Sequence, residues 1–291
     1  RPAPGGAEGE GLRGGGVEGM RRRGWIPDVA ALLLLAVYAA PFFWQLLTSF
    51  KPEAELLRLP PLLPSRMTLE HYRAVFEQSL ILRALLNSFG IAAITTLLAL
   101  GLGFFGGYAL ARLPVPGKGL LLLGIVASTA FPQIATVSPL YLLVRALGLR
   151  DTWVALILTH TSLALPFMIW FLAGFIREIP EEIEEAAFLD GANRLQLLRW
   201  IILPLAAPGL ASAALLTFLL SWNEFLLAYT FTAPEASRTV PVAVALFPGI
   251  FEVPWGDIAA ASILASLPPV VIVVALQRYL VRGLLAGALK E

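Results

Sequence analysis

Six long apolar stretches, at 26–47, 86–109, 119–143, 153–175, 201–229 and 258–281, alternate with more polar segments centred on 50–84, 110–118, 144–152, 177–199 and 230–257. Each stretch is long enough to cross a hydrocarbon core of ~30 Å as a helix of ~20 residues. Backbone groups in lipid must be satisfied internally, which makes helices the natural choice. The predicted class is therefore all-α: a polytopic membrane protein with six transmembrane helices in a single domain over 25–291. Ahead of it, 1–24 reads as a disordered N-terminal segment, dense in glycine and without apolar periodicity over 1–19. Met20, directly before Arg21-Arg22-Arg23, reads as the native start. The run that follows lacks a small-residue cleavage site, so it reads as an uncleaved first helix.

Composition agrees with a membrane location. The 291 residues are 58% hydrophobic and 14% charged, with a mean hydropathy of +0.78, beyond the usual range of soluble domains. A net charge of +1 supplies no field to attract nucleic acid. The absence of cysteine excludes a disulfide framework, a thiolate metal site and a cysteine nucleophile. His71 and His160, the two histidines, cannot by themselves make a His-rich metal site. If the N-terminus is cytoplasmic, that side carries thirteen of the 21 lysines and arginines, led by Arg21, Arg22 and Arg23, as the positive-inside rule expects. Trp25, Trp153 and Trp200 fall near span ends, where amphipathic rings prefer the interface. Pro132, Pro139, Pro166, Pro208, Pro268 and Pro269 punctuate the spans. Kinked helices around a pathway and plain packing irregularity both fit them, since a membrane bundle can re-satisfy the freed carbonyls.

The polar insert 177–199 holds six carboxylates and three arginines. Pro180 followed by Glu181 and Glu182 suits a helix start, with carboxylates at the positive end of the dipole. Ile183, Ala186, Ala187 and Asp190 are expected to share one face, and Gly191 can take the left-handed conformation that ends such a helix. Helices that lie on anionic lipid are rich in Lys and Arg instead. A protein partner therefore fits this helix better than lipid, with a solvated loop helix as the alternative.

Glu185-Ala186-Ala187, Gly191 four residues on, and Ile201, Leu203 and Pro204 ten to thirteen residues beyond the glycine resemble the coupling motif of ABC importer permeases (the EAA motif). Thr48-Ser49-Phe50-Lys51, Asn87-Ser88, Gly107-Tyr108-Ala109-Leu110-Ala111-Arg112 and Ser221-Trp222-Asn223-Glu224 narrow the resemblance, as does the tail Gly283–Lys290. It is to the carbohydrate permeases of the maltose-transporter type, specifically the shorter six-helix partner, and runs from about Trp25 to the C-terminus. Permeases for trehalose and related α-glucosides are the nearest likeness within that type.

The resemblance implies a cytoplasmic coupling loop over 177–200, in which Glu185, Ala186, Ala187, Asp190, Gly191, Ile201, Leu203 and Pro204 couple to a separate ATPase. It implies a second homologous permease, two ATPase subunits and an extracytoplasmic sugar-binding protein as partners, beside membrane lipid and without nucleic acid. ATP and Mg would sit on the ATPase, with no cofactor in this chain, which would itself be no enzyme. The location would be a bacterial or archaeal inner or plasma membrane with both termini in the cytoplasm. The long loop 230–257 would reach the binding protein through Glu235, Ser237, Arg238 and Thr239, and the tail from Arg282 would lie against the ATPases.

Other signals need weighing. Gly101-Leu102-Gly103-Phe104-Phe105-Gly106 spells G-x-G-x-x-G but lies mid-span, where Gly103 and Gly107 suit close helix packing. No G-x-x-x-x-G-K-[ST] phosphate loop occurs. Trp222, Asn223 and Glu224 are candidates for a pathway or gate. An intramembrane carboxylate costs on the order of 2.5–3.5 kcal/mol on insertion scales, so Glu224 points to a hydrated pathway, an interhelical hydrogen bond or a position nearer the interface. His160 fits a hydrogen-bonded packing role or a ligand contact, and Trp170 and Trp222 could stack on sugar or fill the core. The reading that unites these features is the membrane subunit of an ATP-driven sugar importer. An importer permease for a non-sugar solute and an ion-coupled secondary transporter are its alternatives. A membrane enzyme would need clustered acid, base or nucleophile residues, and none stand out.

Overall fold

The computed structural model describes residues 25–56, 63–77, 80–247 and 253–288, without the side chains of residues 26, 236 and 279–288. The readings of 1–19 as disordered and Met20 as the start lie outside these residues, as do the side chains of the C-terminal tail. Among the described residues all regular structure is helical. The helices are α1 (Trp25–Thr48), α2 (Glu53–Leu56), α3 (Glu70–Glu77), α4 (Leu80–Arg112), α5 (Lys118–Thr129), α6 (Gln133–Ala146), α7 (Trp153–Arg177), α8 (Glu181–Leu189), α9 (Arg194–Leu197), α10 (Leu203–Trp222), α11 (Leu226–Phe231), α12 (Val240–Ala245) and α13 (Trp255–Ala288). The chain divides into two units, Arg1–Trp44 and Gln45–Glu291. Of the first, the described part is the start of α1, apolar apart from Asp28 and with Pro41 inside it.

Five stretches among the described residues are long and apolar enough to span a membrane: Pro27–Thr48, Leu80–Arg112, Trp153–Arg177, Arg194–Trp222 and Trp255–Arg278. The expected third span, 119–143, is not one straight helix. It breaks by 93° between α5 and α6, at Pro132, which caps α6 in an extended conformation and cannot donate a backbone hydrogen bond. The expected fifth span, 201–229, begins earlier, at Arg194, and stops at Trp222, where Asn223-Glu224 interrupts it before α11. Among its described residues, segment 230–257 also contains regular structure. It carries α12 with Pro241 in the first turn, where a missing N–H costs nothing.

The core of the second unit is built on α4. Gly103 and Gly107 face α7 so closely that a β-carbon at Gly103 would stand 2.8 Å from Met168 Cβ, and one at Gly107 would stand 3.0 Å from the backbone nitrogen of Ala173. Small residues let helix backbones meet in a bilayer, where lipid is as apolar as leucine and gives no hydrophobic push. Met168, Leu172, Ala173 and Ile176 of α7 are buried, as are Ala206 and Ala213 of α10. Ala92 of α4, Phe218 and Trp222 of α10, Val240 and Ala243 of α12 and Ala260 and Ala261 of α13 form a second apolar cluster.

Between α9 and α10 the ladder widens to a π-turn over Leu198–Ile202, with the Leu203 amide donating to the Leu198 carbonyl. Pro204 follows at once. Its ring would clash with a carbonyl four residues back, and the wider turn relieves that conflict.

Gly103→Val should lower the thermal stability of the detergent-solubilised protein by about 1–3 kcal/mol through overpacking. Gly101→Ala, where a β-carbon meets nothing within 4 Å, should leave stability equal or raise it by about 0.5–1 kcal/mol. Equal melting of wild type and Gly103→Val would show that the α4–α7 contact is not the determinant proposed.

Candidate functional site

The polar segment after α7 folds from local signals. Pro180 caps α8, and Glu181, Glu182 and Glu184 lie in its first turn. The helix ends as expected: Gly191 has φ +85°, its amide donates to the Phe188 carbonyl, and the Ala192 amide donates to Ala187, both at 3.0 Å. This paired pattern is the Schellman arrangement, which satisfies the last carbonyls of a helix. Asn193 then caps α9 reciprocally with Gln196: the Gln196 amide donates to Asn193 Oδ1 at 2.9 Å, and the Asn193 amide donates to Gln196 Oε1 at 2.8 Å. That capping box was legible as Asn193-x-x-Gln196 and is an addition to the expected motif.

The inward face of α8 differs from the expected one. Glu184 and Ala187 are buried, while Ile183, Glu185, Ala186 and Asp190 are exposed. Glu184, only 6% exposed, receives Arg112 Nε at 2.5 Å on Oε1 and the Tyr108 hydroxyl at 2.9 Å on Oε2. Arg112 also donates to the Ile179 carbonyl and lies 3.5 Å from Glu181. The C-terminal end of α4 thus grips α8 through a buried ion pair whose charges are hydrogen-bonded on both sides. What α8 leaves outward is Glu185, Ala186 and a set of apolar side chains, Ile183, Phe188 and Leu189, the last 89% exposed. Leu195 and Trp200 are exposed beyond it. Ile201 packs partly against the core, whereas Leu203 and Pro204 are exposed.

The other end of α4 holds the long loop. Asn87 Nδ2 donates to the Arg238 carbonyl at 2.9 Å, and the Val240 amide donates to Ser88 Oγ at 2.8 Å. Asp151, at φ +62°, accepts from the Ala233 amide at 2.7 Å. Of the four expected contact residues, Glu235 is exposed, Ser237 and Arg238 are partly so, and Thr239 is buried. Thr239 sits where its segment turns into α12 beneath the loop, which removes it from any accessible surface. From Asn87 to Tyr108, α4 rises about 30 Å, the thickness of a bilayer's hydrocarbon core. The gripped α8 and the tethered loop therefore lie at opposite ends of a membrane-length rod.

Between those ends lies a cavity of about 880 Å³, lined by α4, α5, α6, α7, α10 and the break after Trp222. Of the three expected pathway residues, only Glu224 lines it. Trp222 is 3% exposed and stacks on Phe218 in the core. Asn223 donates to the Leu219 carbonyl of its own helix. Glu224 accepts the Leu227 amide at 2.8 Å and the Ala228 amide at 3.0 Å, so its carboxylate closes the first turn of α11. It also accepts Gln133 Nε2 at 2.9 Å and stands 3.3 Å from His160 Nε2. His160 Nδ1 lies 2.8 Å from Ser221 Oγ. A carboxylate can only accept, so Nε2 carries a proton toward Glu224, and in the neutral imidazole Nδ1 then accepts from the serine. Trp170, unlike Trp222, borders the cavity.

With this geometry in place, the relationships of the chain are clear. Residues 99–285 match the family described as binding-protein-dependent transport system inner membrane component, and the chain belongs to that family. It is 44% identical to the trehalose transport system permease protein SugB of Mycobacterium tuberculosis over 92% of this chain and 98% of that protein. It is 38% identical to the trehalose/maltose transport system permease protein MalG of Thermococcus litoralis, covering 90% and 95% of the two chains. Its fold matches a chain from the crystal structure of a bacterial ABC transporter involved in import of the acidic polysaccharide alginate, with a TM-score of 0.78 at 21% identity over 88% of this chain and 95% of that one.

Glu184→Ala should cost about 3–5 kcal/mol by leaving the Arg112 charge buried without its partner. Arg112→Met combined with Glu184→Leu should recover most of that loss. Glu185→Ala, on the exposed face, should leave melting unchanged. Equal melting of the two single alanine variants would contradict the assignment of Glu184 as the anchor.

Proposed function

We propose that this chain is the shorter of two permease subunits of an ATP-driven importer for α-glucosides of the trehalose and maltose kind. The observation that carries the reading is the α8 segment. It is held rigidly to α4 by Glu184, yet presents Glu185, Ala186 and exposed apolar side chains outward, the form a helix needs to seat in a cleft on another protein. ATP and Mg belong to two ATPase subunits that receive this helix, and this chain hydrolyses nothing itself. Closure of those subunits around ATP would push α8, and α4 would follow through the buried ion pair. That biases the permease between inward-open and outward-open states.

On this reading α8 and both termini are cytoplasmic. The loop around Glu235 and Ser237 faces outward, toward an extracytoplasmic sugar-binding protein. Its tethering by Asn87, Ser88 and Asp151 supports a docking surface whose ordering cost on binding is already reduced. The second permease supplies the opposite wall of the pathway. The relatives' identities and the family support the sugar assignment. A secondary transporter would show an internal repeat and ionisable residues at the midplane, whereas the family match is to a binding-protein-dependent transport system component.

The test is ATP hydrolysis and sugar uptake by the assembled complex in proteoliposomes. Glu185→Lys, a charge reversal on the exposed face, should lower binding-protein-stimulated hydrolysis and uptake together, at least tenfold, without altering insertion or melting. A cysteine at Ala186 in this cysteine-free chain should crosslink to the ATPase, and one at Glu235 should react with an impermeant thiol reagent added outside. Full uptake by Glu185→Lys, or labelling of the Glu235 position only from the cytoplasm, would sink the reading.

A further inference from the structure

We propose that Gln133, Glu224 and His160 form a saccharide-responsive gate on this chain's wall of the cavity. Hydroxyls of a neutral sugar take the place of the Gln133 amide on Glu224. The inference rests on the importer reading and adds the residues and the charge class of the cargo.

Glu224 has four donors, and they are not equivalent. The Leu227 and Ala228 amides belong to the first turn of α11, and releasing them would unwind it. His160 is buried and aligned by Ser221. Gln133 is the exposed one, the first residue of α6, placed by the bend at Pro132. Its bond to Glu224 joins two helix breaks, α5–α6 and α10–α11, across the cavity. A neutral amide-to-carboxylate bond at an exposed position exchanges for a hydroxyl-to-carboxylate bond at little net cost, because one donor replaces another. A sugar that enters can therefore open this link without leaving the carboxylate unpaired.

The surroundings suit a sugar. Ser128, Thr129 and Thr136, all lining the cavity, donate their hydroxyl protons to carbonyls of their own helices, which leaves their oxygens as acceptors for sugar hydroxyls. Phe131 and Trp170 are 62% and 51% exposed and border the same space, where they offer apolar faces to a pyranose ring. A volume of about 880 Å³ lies within the roughly 300–1,000 Å³ of small-molecule sites, which combine apolar walls with a few placed polar groups. Among the described residues, the lining includes the Glu224 carboxylate and no lysine or arginine. A uronate would meet like charge with only the buried His160 imidazole beside it, so the wall discriminates against anionic saccharides.

The experiment measures concentration-dependent uptake of radiolabelled trehalose, maltose and a glucuronate-containing disaccharide by the assembled transporter in proteoliposomes. In wild type the neutral sugars should be taken up and the uronate refused. Gln133→Leu removes the competing amide and keeps the carboxylate. It should lower the KM for the neutral sugar about tenfold, as expected for loss of one competing hydrogen bond to a charged group, and raise ATP hydrolysis in the absence of sugar. Glu224→Gln should raise that KM about tenfold, the scale of a charge-assisted bond, and admit the uronate. If Glu224→Gln unwinds α11 and fails to assemble, Gln133→Leu alone decides. An unchanged KM and unchanged sugar-free hydrolysis in Gln133→Leu overturns the gate while the importer stands. A wild-type complex that takes up no saccharide overturns the importer reading and the gate with it.

Discussion

The close approach of α4 and α7 at Gly103 and Gly107 is the contact on which the other features depend. Two glycines one turn apart bring α7 so near α4 that a β-carbon at either would be crowded, and dispersion across that seam stands in for the hydrophobic drive that lipid does not supply. Once the two helices are locked, their ends and middles fix the remaining sites. Arg112 at one end of α4 receives α8. Asn87 and Ser88 near the other end hold the long loop, with Asn87 also accepting from Trp153 at the start of α7. His160 projects from the middle of α7 to Glu224.

Two carboxylates serve two kinds of anchoring. Glu184 is neutralised by Arg112 and further bonded by Tyr108, a buried pair whose lone pairs and protons are otherwise satisfied. Breaking such a pair is far more costly than making it is profitable, so the link transmits displacement without slack. Glu224 instead sits at a helix break and is held by two backbone amides and two side chains. One of those four, Gln133, is free to exchange. On the proposed reading, the rigid anchor lies where force would enter from the ATPase, and the exchangeable one lies where solute would pass.

Helix breaks at Pro132 and at Asn223-Glu224 belong to the same cavity. Irregular backbone is tolerated at membrane depth only where protein or a water-lined space satisfies it. Glu224 performs part of that work by accepting from the α11 amides. The breaks are therefore not accidental defects in otherwise regular spans. They supply the polar backbone and the changes of direction that a passage needs.

Much of this was legible along the chain. The apolar runs identify the spans because transfer to lipid depends on local composition. The start of α8 at Pro180 and its end at Gly191 follow from the steric demands of single residues, and the Glu185-Ala186-Ala187…Gly191 motif shows in its spacing. What local pattern could not distinguish was the direction each side chain takes. Glu184 and Glu185 are neighbours of identical type, yet a 100° turn of the helix sends one to Arg112, 72 residues away, and the other to solvent. Trp170 and Trp222 are equally apolar, but only packing decides that Trp222 fills the core and Trp170 borders the cavity. Thr239 looked like an accessible loop residue until Ser88, far away in the chain, bonded the adjacent Val240 amide. Sequence alone determined which segments are apolar enough to enter a membrane and where α8 begins and ends, since these depend on composition and backbone sterics over a few residues. Tertiary structure alone decided which carboxylate anchors and which tryptophan lines the cavity, because each depends on a partner tens of residues distant.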